Sequence, residues 1–161
     1  MNEHEEHFIA AFISKEKQDR YQFLLGSNDP KRRIECLNRL NHCRDLNEKY
    51  VTWLPRDPRS ITRNAEIAAM LRERGSPKLV YVFGCSCPVD GQILPLLEAM
   101  DQTTEAGFGT IISCVPGKLA YYFAEEGERR AILERKPGKC LKPGQLRPNQ
   151  AVNPSDGSGG F

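Results

Sequence analysis

Cys85, Cys87, Asp90, Cys114 and Lys118 are the residues of this chain whose types and spacing point to chemistry. A thiol near a cation or a helix N-terminus ionises easily, and the thiolate is a nucleophile. Cys85 and Cys87 follow the apolar run Leu79-Val80-Tyr81-Val82-Phe83, and Asp90 lies in the same polar loop. Cys114 lies near the end of the run Thr110 to Val115. If the two runs are parallel strands, all three thiols leave the sheet at one edge, where α/β units bind their ligands. Lys118 opens the next strand and returns to that edge. A helix starting near Ile93 or Leu94 points its N-terminus at the same place. The competing reading is that small apolar thiols fill space beside a tight loop. It is favoured by the three histidines, His4, His7 and His42, which all lie far from the later half that would need a base.

The remaining cysteines carry less. Cys85-x-Cys87 is not a Cys-x-x-Cys redox motif, and one intervening residue closes a disulfide only with strain. Cys36 and Cys43 are seven apart, two turns along one helix face, too distant to chelate one ion together. Six cysteines in 161 residues fall below disulfide-scaffold density and read as reduced thiols. The sequence leads us to expect no metal and no cofactor. There is no phosphate loop, no Gly-x-Ser-x-Gly and no His-Glu-x-x-His. Gly107-Phe108-Gly109 precedes a strand instead of opening a helix, so it is no dinucleotide fingerprint.

Charge excludes a general grip on polyanions. Lys and Arg total 23 against 21 Asp and Glu, a net charge of +2. Lys31, Arg32, Arg33, Arg39 and Arg44 make a basic helix surface, but Glu35 and Asp45 interrupt it and no aromatic residues interleave. Nucleic acid is therefore not an expected partner. His4 and His7 fall on an acidic terminal segment that should be solvated. His42, beside Asp45, reads as a cation at a helix end. The start Met-Asn-Glu-His-Glu-Glu lacks the basic and apolar regions of a secretory signal, and no apolar run is long enough to span a bilayer. We expect a cytoplasmic protein with no membrane contact.

Those residues must be positioned by two textures of chain. The first half is helical: Phe8, Ile9, Phe12 and Ile13, then Tyr21, Leu24 and Leu25, recur at helical spacing up to Gly26. Asp29 caps a helix with Pro30 at its first position, and Ile34, Leu37 and Leu40 form its apolar face with Cys36 and Cys43 alongside. Asn47 to Arg59 reads as a connection pinned by Trp53. A further helix runs from about Thr62 to Arg74. Four strands follow at 79–83, 110–115, 119–123 and 131–133, with the helix from Ile93 or Leu94 to near Gly107 joining the first two. That order predicts parallel pairing of the first two strands through a right-handed crossover, then an antiparallel meander.

The expected fold is therefore α+β: N-terminal helices packed with a small mixed four-stranded sheet of order β-α-β-β-β. It forms one compact domain, 1–135. From Lys136 onward Pro, Gly and Ser dominate, and 136–161 reads as a disordered tail. The fourth strand, near Ile132, should be an edge that recruits a protein partner by strand addition. The expected function is a non-catalytic interaction or regulatory module. The alternative is a small ligand-binding protein or thiol-dependent enzyme using the Cys85/Cys87/Asp90/Cys114 edge.

Overall fold

A computed structural model describes residues 1–42, 45–56, 63–125 and 129–136. Residues 137–161 of the expected disordered tail, Cys140 among them, and Cys43 and Arg44 lie outside the described residues.

The helical half divides into α1 (Glu3–Phe12), α2 (Gln18–Gly26) and α3 (Pro30–Asn41). α1 begins with a capping box: Asn2 accepts from the Glu5 amide, and the Glu5 carboxylate accepts from the Asn2 amide. Asp29 caps α3 by accepting from the Lys31 amide, with Pro30 in the first turn as expected. Cys36, Leu37 and Leu40 are buried, but Ile34 is 52% exposed, so the buried stripe of α3 is one residue narrower than its periodicity suggests.

The expected connection after Asn47 contains a short strand, β1 (Val51–Trp53). α4 (Asn64–Glu73) follows, then β2 (Leu79–Gly84), β3 (Ile93–Pro95), α5 (Leu96–Ala106), β4 (Thr110–Val115), β5 (Leu119–Phe123) and β6 (Arg130–Glu134). The class is α+β. The sheet, however, has six strands in the order β1-β6-β5-β4-β2-β3, not four. Every pairing in it is antiparallel, so the expected mixed sheet is corrected.

One local feature reverses the expected pairing. Ile93-Leu94-Pro95 is not the start of a helix but a strand folded back on β2, with Leu79 opposite Pro95 and Tyr81 opposite Ile93. That hairpin returns the chain to the end where β2 began. α5 then traverses the sheet, and β4 enters opposite the end of β2, with Gly84 facing Thr110 and Tyr81 facing Ser113. Pro95 is tolerated because β3 is an edge strand.

Helices cover both faces. α1 to α3 pack on Tyr81, Phe83, Ile111, Tyr122 and Leu133. Phe8 meets Phe83 edge to face, with ring centroids 5.3 Å apart. α4 and α5 pack on Val82, Ile112, Tyr121, Phe123 and Ile132. Burial on both faces explains why the strands read as continuous apolar runs, a pattern that also fits parallel sheets.

The expected edge at Ile132 is also corrected. Ile132 faces Tyr121 on one side and Thr52 on the other, so β6 is interior and β1 is the edge beyond it. The three residues of β1 were hidden in a segment that Pro55 and Pro58 mark as a connection.

Candidate functional site

The antiparallel β2–β4 ladder separates the residues expected to converge. Cys85, Cys87 and Asp90 lie in the loop after β2, at the sheet end where β4 begins. Cys114 and Lys118 lie at the opposite end, where β4 finishes and β5 starts. The thiols are not gathered at one edge.

Cys36 and Cys85 pack in one core and Cys87 and Cys114 in the other, and all four are buried and unbridged. Cys85 Sγ donates to Asn38 Oδ1 at 2.8 Å, which ties the loop to α3. Ser86, between the two loop thiols, holds a φ of 55°, a left-handed turn that directs Cys85 and Cys87 to different cores. Burial pushes the Cys36 thiol up to about 12 and the Cys114 thiol up to about 11. Neither is a thiolate at neutral pH.

Asp90 belongs to a different cluster. Its carboxylate accepts from Arg33 Nη2 at 2.9 Å and Nε at 3.2 Å, and from the Gly84 amide at 3.1 Å. Arg33 Nη1 reaches Glu5 Oε1 at 2.8 Å, and Glu5 is 2% exposed. Tyr81 donates its hydroxyl to the same Glu5 oxygen at 2.8 Å. His4 stacks on Tyr81, and its Nδ1 lies 2.9 Å from Ser113 Oγ.

These contacts state what the cluster does. All three guanidinium nitrogens of Arg33 already bind carboxylates, and its charge is held by them. Burial, then the Glu5 carboxylate, raises the Tyr81 phenol above its ordinary value, so it stays protonated. Burial lowers His4, so its ring is neutral at pH 7. Ser113 is 1% exposed beneath it, which leaves no room for a substrate. The cluster joins α1, α3 and the β2–β3 loop. It is a structural tie that the sequence analysis missed: the Asn2-x-x-Glu5 spacing carries a capping-box signal that went unread, and nothing local reveals that Glu5 meets Arg33.

The basic surface expected on α3 is partly spent in the same way, because Arg39 approaches Asp45 at 3.5 Å while Arg33 turns to Glu5 and Asp90. His42 is the exposed C-cap of α3, as expected, but Asp45 accepts instead from the Tyr21 hydroxyl at 2.6 Å. Among the described residues, no three His, Cys, Asp or Glu side chains are placed to hold a metal ion together. No helix there is long and apolar enough to cross a membrane. The apolar crevice lined by Leu37, Phe83, Gly84 and Tyr122 encloses no space large enough for a water molecule.

An open concave surface lies elsewhere, at the outer corner of the sheet. Lys49, Tyr50, Thr52, Glu134, Arg135 and Lys136 line a groove of about 480 Å³ beside β1. Arg135 covers the Tyr50 ring with its guanidinium 4.9 Å from the centroid, and Lys49 lies 5.6 Å from the same centroid. Trp53 packs edge to face on Tyr122 and carries Arg129 over its ring at 3.9 Å. Sequence reading placed Trp53 as an anchor but missed the strand that contains it and the cations around it.

No family model, no curated protein and no solved structure matches this chain.

Proposed function

We propose that this chain is a non-catalytic interaction module that receives an extended segment of a protein partner along the outer edge of β1. The single observation that supports this is the position of β1: paired with β6 on one side, it has no strand on the other among the described residues. Leu54 N donates to Arg130 O, so the alternation of an antiparallel ladder turns the backbone groups of Trp53 outward. The Val51 amide is already used, donating to Glu48 O, which narrows the open edge to the Val51 carbonyl and both groups of Trp53. Strand addition needs such groups beside a groove for side chains, and the Lys49–Lys136 groove adjoins them.

Affinity capture from a native extract supplies the partner, and amide hydrogen exchange locates it. The Trp53 amide gains protection on binding, while Leu54, already bonded, does not change. Protection confined to other elements, or capture of no protein above an unrelated control, overturns the reading.

A further inference from the structure

We infer that the segment received at β1 is acidic, with carboxylates where it passes the corner of the sheet. This rests on the strand-addition reading and adds the chemistry of the partner. Lys49 precedes β1, Lys118 opens β5, and Arg135 and Lys136 follow β6, so three separate stretches of chain deliver cations to one end of the sheet. The register sets them there: Val51 faces Leu133, Leu119 faces Glu134, and Arg135 N donates to Lys118 O at 2.9 Å. All four side chains are exposed, and none forms an ion pair with another of the described residues.

The carboxylates nearest in the chain do not neutralise them. Glu134 turns to Arg74 at 3.5 Å on the α4 side, and Glu48 accepts from Trp53 Nε1 at 3.1 Å. The groove lining carries three cations, Lys49, Arg135 and Lys136, with no ion-pair partner among the described residues, and one carboxylate, Glu134, already engaged by Arg74. Beside open backbone groups this favours carboxylates over neutral or basic segments, chiefly through specificity and on-rate. An added strand lies about 4.8 Å beyond β1, and its alternate side chains share one face. A carboxylate-bearing strand there runs past the end of the sheet that carries Lys49, Arg135 and Lys136 while its backbone pairs with Trp53.

A single-stranded polynucleotide would use the same charges, but the aromatic rings disfavour it. Non-specific strand binders stack bases on open ring faces. Here Arg135 and Lys49 cover the Tyr50 ring and Arg129 covers Trp53.

Fluorescence anisotropy with labelled decapeptides tests the inference. An alternating Thr/Glu peptide should bind about tenfold or more tightly than Thr/Gln or Thr/Lys peptides, and weaken with added salt. Lys49→Gln with Lys136→Gln should weaken it, and adding Arg135→Glu should abolish it, with thermal melting confirming that each variant folds. Tighter binding of decathymidylate than of the Thr/Glu peptide overturns the acidic-peptide inference. Equal binding of all three peptides does the same. If the Thr/Glu peptide fails while a captured partner still protects the Trp53 amide, the inference falls and the strand-addition reading stands. If the Thr/Glu peptide binds without protecting Trp53, both fall.

Discussion

Arg33 and Asp90, 57 residues apart in the chain, meet through two parallel hydrogen bonds, Nη2 to Oδ1 at 2.9 Å and Nε to Oδ2 at 3.2 Å. The remaining nitrogen holds buried Glu5 at 2.8 Å. Removing one partner of a buried pair strands the other charge, which costs far more than the pair contributes. Arg33→Met should therefore destabilise the fold by about 3 kcal/mol in urea denaturation at neutral pH. Adding Glu5→Gln should recover part of that loss, because the stranded carboxylate is gone. A single-variant cost near zero would remove the tie from the account of stability.

His4 makes stability depend on pH in one direction. Its folded pKa is below the ordinary 6.5, first because of burial and then because of His7, with Glu3 opposing. As pH falls, the unfolded chain takes up the proton first, so stability present above about pH 6.5 is lost on acidification. His4→Gln removes this step. Comparing denaturation midpoints at about pH 7.5 and 5.5, wild type should lose more than the variant. Equal losses would show that His4 has no part in the acid response.

The thiols should behave as core residues. Cys36, with its pKa near 12, and Cys114, near 11, are buried at 0% and 1% exposure. Iodoacetamide should label neither in the native protein and both in urea, read by peptide mass analysis. Cys85 and Cys87, each 7% exposed, should also label only on unfolding. Rapid native labelling of any of the four would restore the case for a reactive thiol.

Arg130 is a buried cation, and a poorly satisfied one among the described residues. It is 7% exposed, Nη1 donates to Asn64 Oδ1 at 3.0 Å, and Nε and Nη2 have no hydrogen-bond partner among the described residues. Its guanidinium carbon lies 5.1 Å from the Phe123 ring centroid. Replacing such a charge with an apolar residue of similar length is often neutral or stabilising. Arg130→Met should leave stability unchanged or raise it by about 1 kcal/mol, seen as a higher melting temperature. A loss of about 3 kcal/mol would mean that the guanidinium is compensated in the folded protein.

The sequence by itself determined the elements whose signals are local. The Asp29-Pro30 start of α3, the helix ending near Glu73, and the runs that became β2, β4, β5 and β6 follow from capping chemistry and from which side chains must be buried. The unbroken apolar run Leu79 to Phe83 also carried a local signal that β2 is a central strand, since it does not alternate. Strand direction was not determined, because an apolar run has no arrow in it. Three residues, Ile93 to Pro95, paired back on β2 and so made β4 antiparallel, which sent Cys114 and Lys118 to the far end from Cys85. β1 was invisible for a related reason: three residues are too few to show a period, and only the exposed flank of β6 makes them a strand. The Glu5–Arg33–Asp90 tie and the Lys49–Arg135–Lys136 corner join residues distant in the chain. Only the tertiary structure could decide them, because a charge acquires its partner from packing and not from its neighbours in sequence.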